Sequence, residues 1–277
     1  MNRAPPGPLN DAHPAPGPLS DFHRAEMTTA VWTHLLALRQ GEIAPLPPTL
    51  GPGEAAAVAL YAPIARRDHD ARILGQIGQS LDGRVATEAG DARDVSGPDG
   101  LAHLHRLRAL VDAVLIGVRT ALLDAPRLTV RMCPGPNPAR VIIDPSGRLP
   151  DAARVLAEDG ARRIVIQAVP RPRAAGVEVI TVPRQGDWIA PDRILDALAE
   201  RGLRSALVEG GGITLAQFLE AGLLSRLHVA VSPLIIGAGP QGLTTPPVAL
   251  LSEARRPPTR VFGLGSDVLF DCDLAAG

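Results

Sequence analysis

Short apolar runs alternate with longer amphipathic stretches over most of the chain. The short runs predict strands at 72–79, 113–117, 139–143, 163–168, 177–182, 205–208 and 227–232. The amphipathic stretches predict helices at 101–111, 151–158, 191–201 and 213–221, and residues 259–271 alternate as a final strand or hairpin does. Because strands that alternate with helices form parallel sheets, the pattern predicts an α/β fold with a mostly parallel central sheet flanked by helices.

The first 71 residues lack this alternation. Residues 1–26 contain a proline-rich near-duplication, APPGPLNDAH followed by PAPGPLSDFH, which predicts a disordered tail. Residues 27–71 predict a helix over 28–40 and a linker over 43–53, so the main globular domain is expected at 72–277. Translation from Met27 is an alternative hypothesis, in which the repeat is not part of the protein.

Composition and charge exclude several classes of function. Hydrophobic residues make up 45% of the 277 positions and the formal net charge is −1, so we expect a sizeable core and no nucleic-acid partner. The two cysteines, Cys133 and Cys272, are too few for a disulfide scaffold or a cysteine-rich zinc site, and no metal site is predicted. No apolar run reaches the length of a membrane span and no secretory signal is recognised, so a cytoplasmic protein without a membrane partner is expected.

The clearest local signal for chemistry is a glycine-rich turn between a predicted strand and a predicted helix. Glu209 is followed by Gly210, Gly211 and Gly212, and the helix begins directly after them. Glycines allow a backbone to approach a phosphate closely, and the amides at a helix N-terminus attract the same anion. The alternative is an ordinary flexible turn, since the spacing is not that of the GxGxxG dinucleotide fingerprint.

Charged residues at two further places suggest a ligand. Arg108 lies on the apolar face of the helix predicted at 101–111, where a charge needs a partner or a ligand. Its alternatives are a snorkelling arginine at the edge of the apolar stripe and a buried ion pair with an aspartate. The stretch from Thr120 to Arg131 adds a hydroxyl, the carboxylate of Asp124 and a guanidinium at the end of the strand-like Leu128–Arg131.

Several separated motifs together resemble one family, the reductase domain of the bifunctional deaminase–reductase of riboflavin synthesis. The similarity spans about residues 72–271 and excludes the deaminase half. The matching pieces occur in the family's order: Ser80-Leu81-Asp82-Gly83-Arg84, Ser96-Gly97-Pro98, His105-Arg106-Leu107-Arg108-Ala109 with Asp112, Gly117 with Thr120, Asp124 with Pro126, Leu128-Thr129-Val130-Arg131, Asn137-Pro138 with Arg140, Val141 and Asp144, Glu209 with its glycines, and Pro233-Leu234 with Gly237.

The resemblance implies a dihydrofolate-reductase-like fold, a homodimer, and NADPH-dependent reduction of a phosphoribosylamino-pyrimidine to its ribitylamino form. It implies that the cofactor is lined by Gly78, Thr120, Asp124, Gly210, Gly211, Gly212, Ile213, Thr214, Leu215 and Ala216. Arg108, Leu128 and Arg131 are expected to bind the substrate, with the two arginines at its phosphate. Glu209 and Asp124 are the candidate catalytic groups for the protons of sugar-ring opening.

The chain departs from the family pattern at a few positions. Gln76 stands where the family often has lysine, Ala92 and Asp94 stand where it often has a serine and an aromatic residue, and Pro145 replaces a frequent hydroxyl. These changes leave two alternatives open, a reductase of the same fold that acts on another pterin-like or heterocyclic substrate, and a nucleotide-binding protein without turnover. No residue in the sequence distinguishes NADPH from NADH.

Overall fold

A computed structural model describes residues 23–66, 72–93 and 95–275 of the chain. Most of the predicted tail and Asp94 lie outside these ranges. The helices are α1 (Thr29–Gln40), α2 (Pro52–Ala65), α3 (Pro98–Leu110), α4 (Val118–Leu123), α5 (Pro191–Ala199) and α6 (Gly212–Glu220). The strands are β1 (His23–Arg24), β2 (Arg72–Ser80), β3 (Ala113–Gly117), β4 (Ala139–Ile143), β5 (Arg163–Gln167), β6 (Val177–Thr181), β7 (Ser205–Glu209), β8 (Arg226–Ser232), β9 (Thr259–Leu264) and β10 (Asp267–Asp273).

All ten strands form one sheet in the order β1-β9-β10-β8-β2-β7-β3-β4-β5-β6. Within the described residues, β10 is the one strand that pairs antiparallel with its neighbours, β8 and β9. The predicted α/β fold with a mostly parallel sheet is confirmed, and residues 259–271 do form a hairpin. At the centre, β2 lies between β7 and β8, and β7 pairs with β3. Because these strands run parallel, their carboxyl ends, which carry Gly78, Gly117 and Glu209, lie at one edge of the sheet.

Buried side chains form a separate cluster on each face of the sheet. Leu74 of β2 and Leu207 of β7 pack with α1, α2 and α3 on one face. Ile73 and Ile77 of β2 pack with Leu215 and the rest of the second cluster on the other face. Because successive residues of a strand point to opposite faces, strands buried on both sides need these continuous apolar runs.

The segment before β2 packs against the same core as the sheet. Val31 and Leu35 of α1 and Leu60 and Tyr61 of α2 are completely buried in the first cluster. The prediction of a linker up to residue 53 is wrong at its end, because α2 begins at Pro52. Proline is favoured in the first turn of a helix, so the glycine–proline pair that suggested a linker instead begins a helix.

Two other local predictions are wrong. Residues 151–158 contain only the single 3-10 turn Arg154–Leu156. Leu128–Arg131 is not a strand, since Leu128 has a φ of 56° and the chain cannot extend through it. Side chains take the place of a neighbouring strand there: the Val130 amide donates to Asn137 at 2.7 Å and the Arg131 amide donates to Nδ1 of His105 at 2.9 Å.

Candidate active site

The glycine-rich turn connects β7 to α6 in a conformation that requires glycine. Gly210 and Gly211 have φ values of 61° and 65°, in the left-handed region. A Cβ at Gly211 would lie 2.7 Å from the hydroxyl oxygen of Thr120, and one at Gly212 would clash with the carbonyl oxygen of Gly242. The turn therefore brings bare backbone and the N-terminus of α6 to the end of the sheet, as an anion-binding site requires.

A cavity of about 950 Å³ opens at this edge of the sheet. Ligands of open α/β sheets bind outside the carboxyl ends of the strands, and this cavity has that position. Of the residues that the sequence predicts for the cofactor, eight line it: Gly78, Thr120, Asp124, Gly210, Gly211, Gly212, Ile213 and Thr214. Leu215 and Ala216 do not, because both are buried in the protein core.

A second cavity, of about 300 Å³, adjoins the first at Asp124. Its lining contains all three predicted substrate residues, Arg108, Leu128 and Arg131. Its other lining residues are Asp124, Ala125, Pro126, Arg127 and Arg154. Four arginines and a single carboxylate line this small cavity, so its lining carries an excess of positive charge, which suits a phosphate.

Arg108 and Glu209 form a buried ion pair between the two cavities. Nε of Arg108 donates to Oε2 of Glu209 at 2.8 Å, and Nη2 donates to Oε1. The Arg108 side chain is 6% exposed and that of Glu209 12%. The alternative of a buried pair is therefore confirmed for Arg108, with Glu209 in place of an aspartate. A third donor, Nη1, reaches the carbonyl oxygen of Thr129 at 3.1 Å and fixes the guanidinium.

The remaining charged groups differ in their electrostatic surroundings. Asp124 lies at the cavity mouths, and desolvation by the protein around it raises the pKa of its carboxyl above 3.8. Burial, followed by repulsion from Arg108, Arg127 and Arg154, lowers the pKa of Arg131. Arg131 stays charged at neutral pH, because an arginine pKa begins far above 7. Asp124 is thus the carboxyl in this region with a raised pKa, which suits proton exchange.

Two residues of the matched motifs, Asp82 and Asp144, hold the loops around the cavity instead of facing a ligand. Asp82 accepts hydrogen bonds from Ser80 and from the amides of Ile236 and Gly237, which lower its pKa to about 2. Asp144 accepts from the Arg148 and Leu149 amides and pairs with the buried Arg173 at 2.7 Å. The Asp144 contacts order the loop that carries Pro145, Ser146 and Arg148 to the cavity wall.

Sequence reasoning missed several lining residues. Arg119 and Arg148 line the large cavity, as does Gln76, which the sequence marks only as a departure from the family pattern. Arg127 and Arg154 belong to the small one. Arg127 stands beside a motif and could have been found from it. Nothing in the sequence places Arg154, which reaches the cavity only through the fold. Within the ranges that the structure describes, no group of three or more metal-ligating side chains occurs, and no helix is long and apolar enough to cross a membrane.

The fold and site define an α/β protein with a nucleotide-sized cavity joined to an arginine-rich one. The chain belongs to the RibD C-terminal domain family, whose model matches residues 72–268. The 2,5-diamino-6-ribosylamino-4(3H)-pyrimidinone 5′-phosphate reductase of Methanothermobacter thermautotrophicus is similar, with 34% identity over 167 residues, 57% of this chain and 76% of the relative. The family resemblance drawn from the motifs is confirmed.

Longer relatives match only in part. The riboflavin biosynthesis protein RibD of Aquifex aeolicus is 35% identical over 167 residues, which are 58% of this chain and 46% of that protein. The chain thus spans about half the length of such relatives. A crystal structure of a diaminohydroxyphosphoribosylaminopyrimidine deaminase/5-amino-6-(5-phosphoribosylamino)uracil reductase from Thermotoga maritima superposes with a TM-score of 0.67 and 26% identity, over 80% of this chain and 62% of that one.

Proposed function

We propose that the protein catalyses NADPH-dependent reduction of a phosphoribosylamino-pyrimidine to the ribitylamino form in riboflavin biosynthesis. The observation that carries this proposal is the junction of the two cavities. A site large enough for a dinucleotide meets a small site with four arginines, and Asp124 lines both. Family membership and the names of the curated relatives support the same reaction.

The large cavity fits a nicotinamide dinucleotide. A Cβ at Gly211 or Gly212 would crowd the Thr120 hydroxyl or the Gly242 carbonyl, so the turn keeps bare backbone at the N-terminus of α6, which suits the pyrophosphate. Arg119, Arg148 and Ser146 line the same cavity and offer groups that bind phosphate. We assign to them the 2′-phosphate that distinguishes NADPH from NADH, because a guanidinium binds a phosphate more strongly than it binds a ribose hydroxyl.

The small cavity fits the substrate phosphate. In the described part of the chain, Arg127, Arg131 and Arg154 have no carboxylate partner within ion-pair distance. All three are exposed to solvent, so their guanidinium groups are accessible to an anionic ligand. Arg108 differs from these three because Glu209 and Thr129 already take three of its hydrogen bonds. We propose that Arg127, Arg131 and Arg154 bind the phosphate, and that Arg108 chiefly positions Glu209 beside the sugar.

The chemistry assigns different tasks to the two carboxyl groups. Bound NADPH supplies the hydride, which must reach the anomeric carbon of the opened sugar. Opening the ring requires a proton at the ring oxygen, and the raised pKa of Asp124 makes it our candidate donor. Glu209, held by two hydrogen bonds from Arg108, suits a carboxylate that accepts a hydrogen bond from a sugar hydroxyl and orients it.

We further propose that the protein is a cytoplasmic homodimer. Several large apolar side chains are exposed: Leu81 and Ile235 close to the end of β8, and Leu250 and Leu251 in the segment before β9. Exposed apolar groups of this kind suit association with a second copy. The two cysteines of the sequence are too few for a disulfide scaffold, which suits a reducing compartment.

One assay tests the proposed reaction. NADPH oxidation is followed at the nicotinamide absorbance with the 5-amino-uracil and the 2,5-diamino-pyrimidinone forms of the phosphoribosylamino substrate, and NADPH binding is titrated separately. Turnover of either form is expected, and the preferred form identifies the substrate. NADPH binding without turnover of either would favour a reductase for another heterocycle. If NADPH does not bind, the remaining interpretation is a protein that has kept the fold of the family and lost its cofactor site.

A further inference from the structure

Gln76 has an unpaired hydrogen-bond acceptor at the base of the large cavity. The residue lies on β2 and is 5% exposed. Its Oε1 is buried and has no hydrogen-bond partner in the described structure. Buried polar groups are nearly always paired, and an exception next to a ligand cavity indicates a partner that arrives with the ligand.

The neighbours of Gln76 cannot supply that partner. In the sheet register Gln76 lies beside Glu209 on one side and His228 on the other, so the three side chains share a face. Glu209 is held by Arg108. Nδ1 of His228 is 3.2 Å from Nε2 of His103, and Nε2 of His228 is 3.2 Å from Oδ1 of Asp271, so both ring nitrogens already have hydrogen-bond partners. Because neither neighbouring side chain donates to Oε1 of Gln76, the donor for this oxygen is expected to come from a ligand in the cavity.

We propose that Gln76 determines specificity by accepting a hydrogen bond from an N–H group of a bound heterocycle. This inference rests on the proposed function, and two sources offer that group: the carboxamide of the nicotinamide and an amino group of the pyrimidine. A neutral amide suits both, because it adds no charge beside the carboxylate of Glu209.

Gln167 offers a matched control. It is completely buried, but its side chain is saturated: Nε2 donates to the carbonyl oxygens of Val169 and Arg171 at 2.8 and 2.6 Å, and Oε1 accepts from Arg173 at 3.0 Å. It lines neither cavity. Methionine is close to glutamine in length, so Gln167→Met removes paired groups and Gln76→Met removes an unpaired one.

The experiment compares the two variants with the wild type, first without ligands and then with them. In the absence of ligand, Gln76→Met is expected to melt at or above the wild-type temperature and Gln167→Met well below it. With ligand, Gln76→Met is expected to weaken the binding of one of the two heterocycles about tenfold, which corresponds to the loss of one hydrogen bond. A higher Kd for NADPH assigns the carboxamide, and a higher KM for the pyrimidine with unchanged NADPH affinity assigns the amino group.

A cofactor analogue makes the first assignment specific. The 3-acetylpyridine analogue of NADPH has a methyl ketone in place of the carboxamide and cannot donate, so its affinity should not change in Gln76→Met. If Gln76→Met leaves both ligands unaffected, or destabilises the ligand-free protein as Gln167→Met does, the proposal is wrong. A wild-type protein that binds neither ligand instead refutes the proposed function, so the two failures are distinguishable.

Discussion

The guanidinium of Arg108 and the carboxylate of Glu209 face each other across 101 positions of sequence and form a two-point ion pair between two cavities. Removing one member of such a pair leaves a buried charge without compensation. Arg108→Ala should therefore lower the free energy of unfolding by about 3–5 kcal/mol and raise the KM of the pyrimidine. Urea unfolding and steady-state kinetics measure the two effects.

The double variant Arg108→Ala/Glu209→Ala is the control for this prediction. Because it removes both charges, it should be more stable than Arg108→Ala alone. Unchanged stability and KM in Arg108→Ala would contradict the pair's role in both folding and binding.

The arginines of the small cavity provide a prediction about how much the phosphate of the substrate contributes to its affinity. Arg154→Ala removes a guanidinium without a carboxylate partner, so it should raise the KM of the phosphorylated substrate about 10- to 100-fold, as loss of a hydrogen bond to a charged group does. The dephosphorylated substrate should bind wild type and variant equally weakly. Arg162→Ala is the matched control, since Arg162 forms an exposed pair with Glu178 and neither residue lines either cavity. An equal loss for both substrates would place the phosphate elsewhere.

Local sequence patterns predicted the strands and the glycine-rich turn, because alternation and glycine act over a few residues. The two cavities depend on contacts between distant segments. Arg154 reaches the small cavity from a 3-10 turn where an α-helix was predicted. Glu209 at the end of β7 meets Arg108 because α3 packs on the face of the sheet that contains Leu207. The family resemblance brought Arg108, Leu128 and Arg131 together as substrate residues, and the structure does place them around one cavity.

The helix α2 was the largest omission, whereas α1 was predicted, and the packing of both helices provides a prediction about truncation. Trp32 donates from Nε1 to the carbonyl oxygen of Pro134 at 2.8 Å, and Leu35 and Leu60 are completely buried. Each buried leucine contributes about 1.5–3 kcal/mol. A chain that starts at Met27 should fold, whereas one that starts at Arg72 should aggregate or bind a hydrophobic dye. Cooperative unfolding of the shorter chain with wild-type stability would show that α1 and α2 are dispensable.

A buried chain of polar groups predicts acid sensitivity. The Tyr61 hydroxyl is 2.7 Å from Nδ1 of His103, whose Nε2 contacts His228, and His228 contacts Asp271. Burial lowers the pKa of both histidines below the ordinary 6.5, with further repulsion from Arg106 at His103. Asp271 has a pKa of about 2 because His228 and two arginines offset its burial, so it keeps its charge in weak acid.

The direction of the pH effect follows from proton uptake. Below pH 6.5 the unfolded chain binds protons at His103 and His228 that the folded protein does not, so stability should fall from pH 7 towards pH 5. Each histidine contributes up to about 1.4 kcal/mol per pH unit. His103→Gln should flatten this dependence, and Tyr61→Phe should keep it because the imidazoles remain. Urea unfolding between pH 5 and 8 measures the slopes, and equal slopes in wild type and His103→Gln would refute this account.

The glycine-rich turn permits a test that separates backbone strain from loss of the cofactor site. Gly211 and Gly222 flank α6 with nearly equal φ values of 65° and 67°, so alanine at either position should cost about 1–2 kcal/mol of stability. A Cβ at Gly211 would also crowd the Thr120 hydroxyl, whereas one at Gly222 meets nothing within 4 Å. Gly211→Ala should therefore weaken NADPH binding by tenfold or more, about 1.4 kcal/mol, while Gly222→Ala keeps wild-type affinity. The affinities are measured by titration of NADPH fluorescence. Equal affinities in the two variants would show that the turn is not part of the cofactor site.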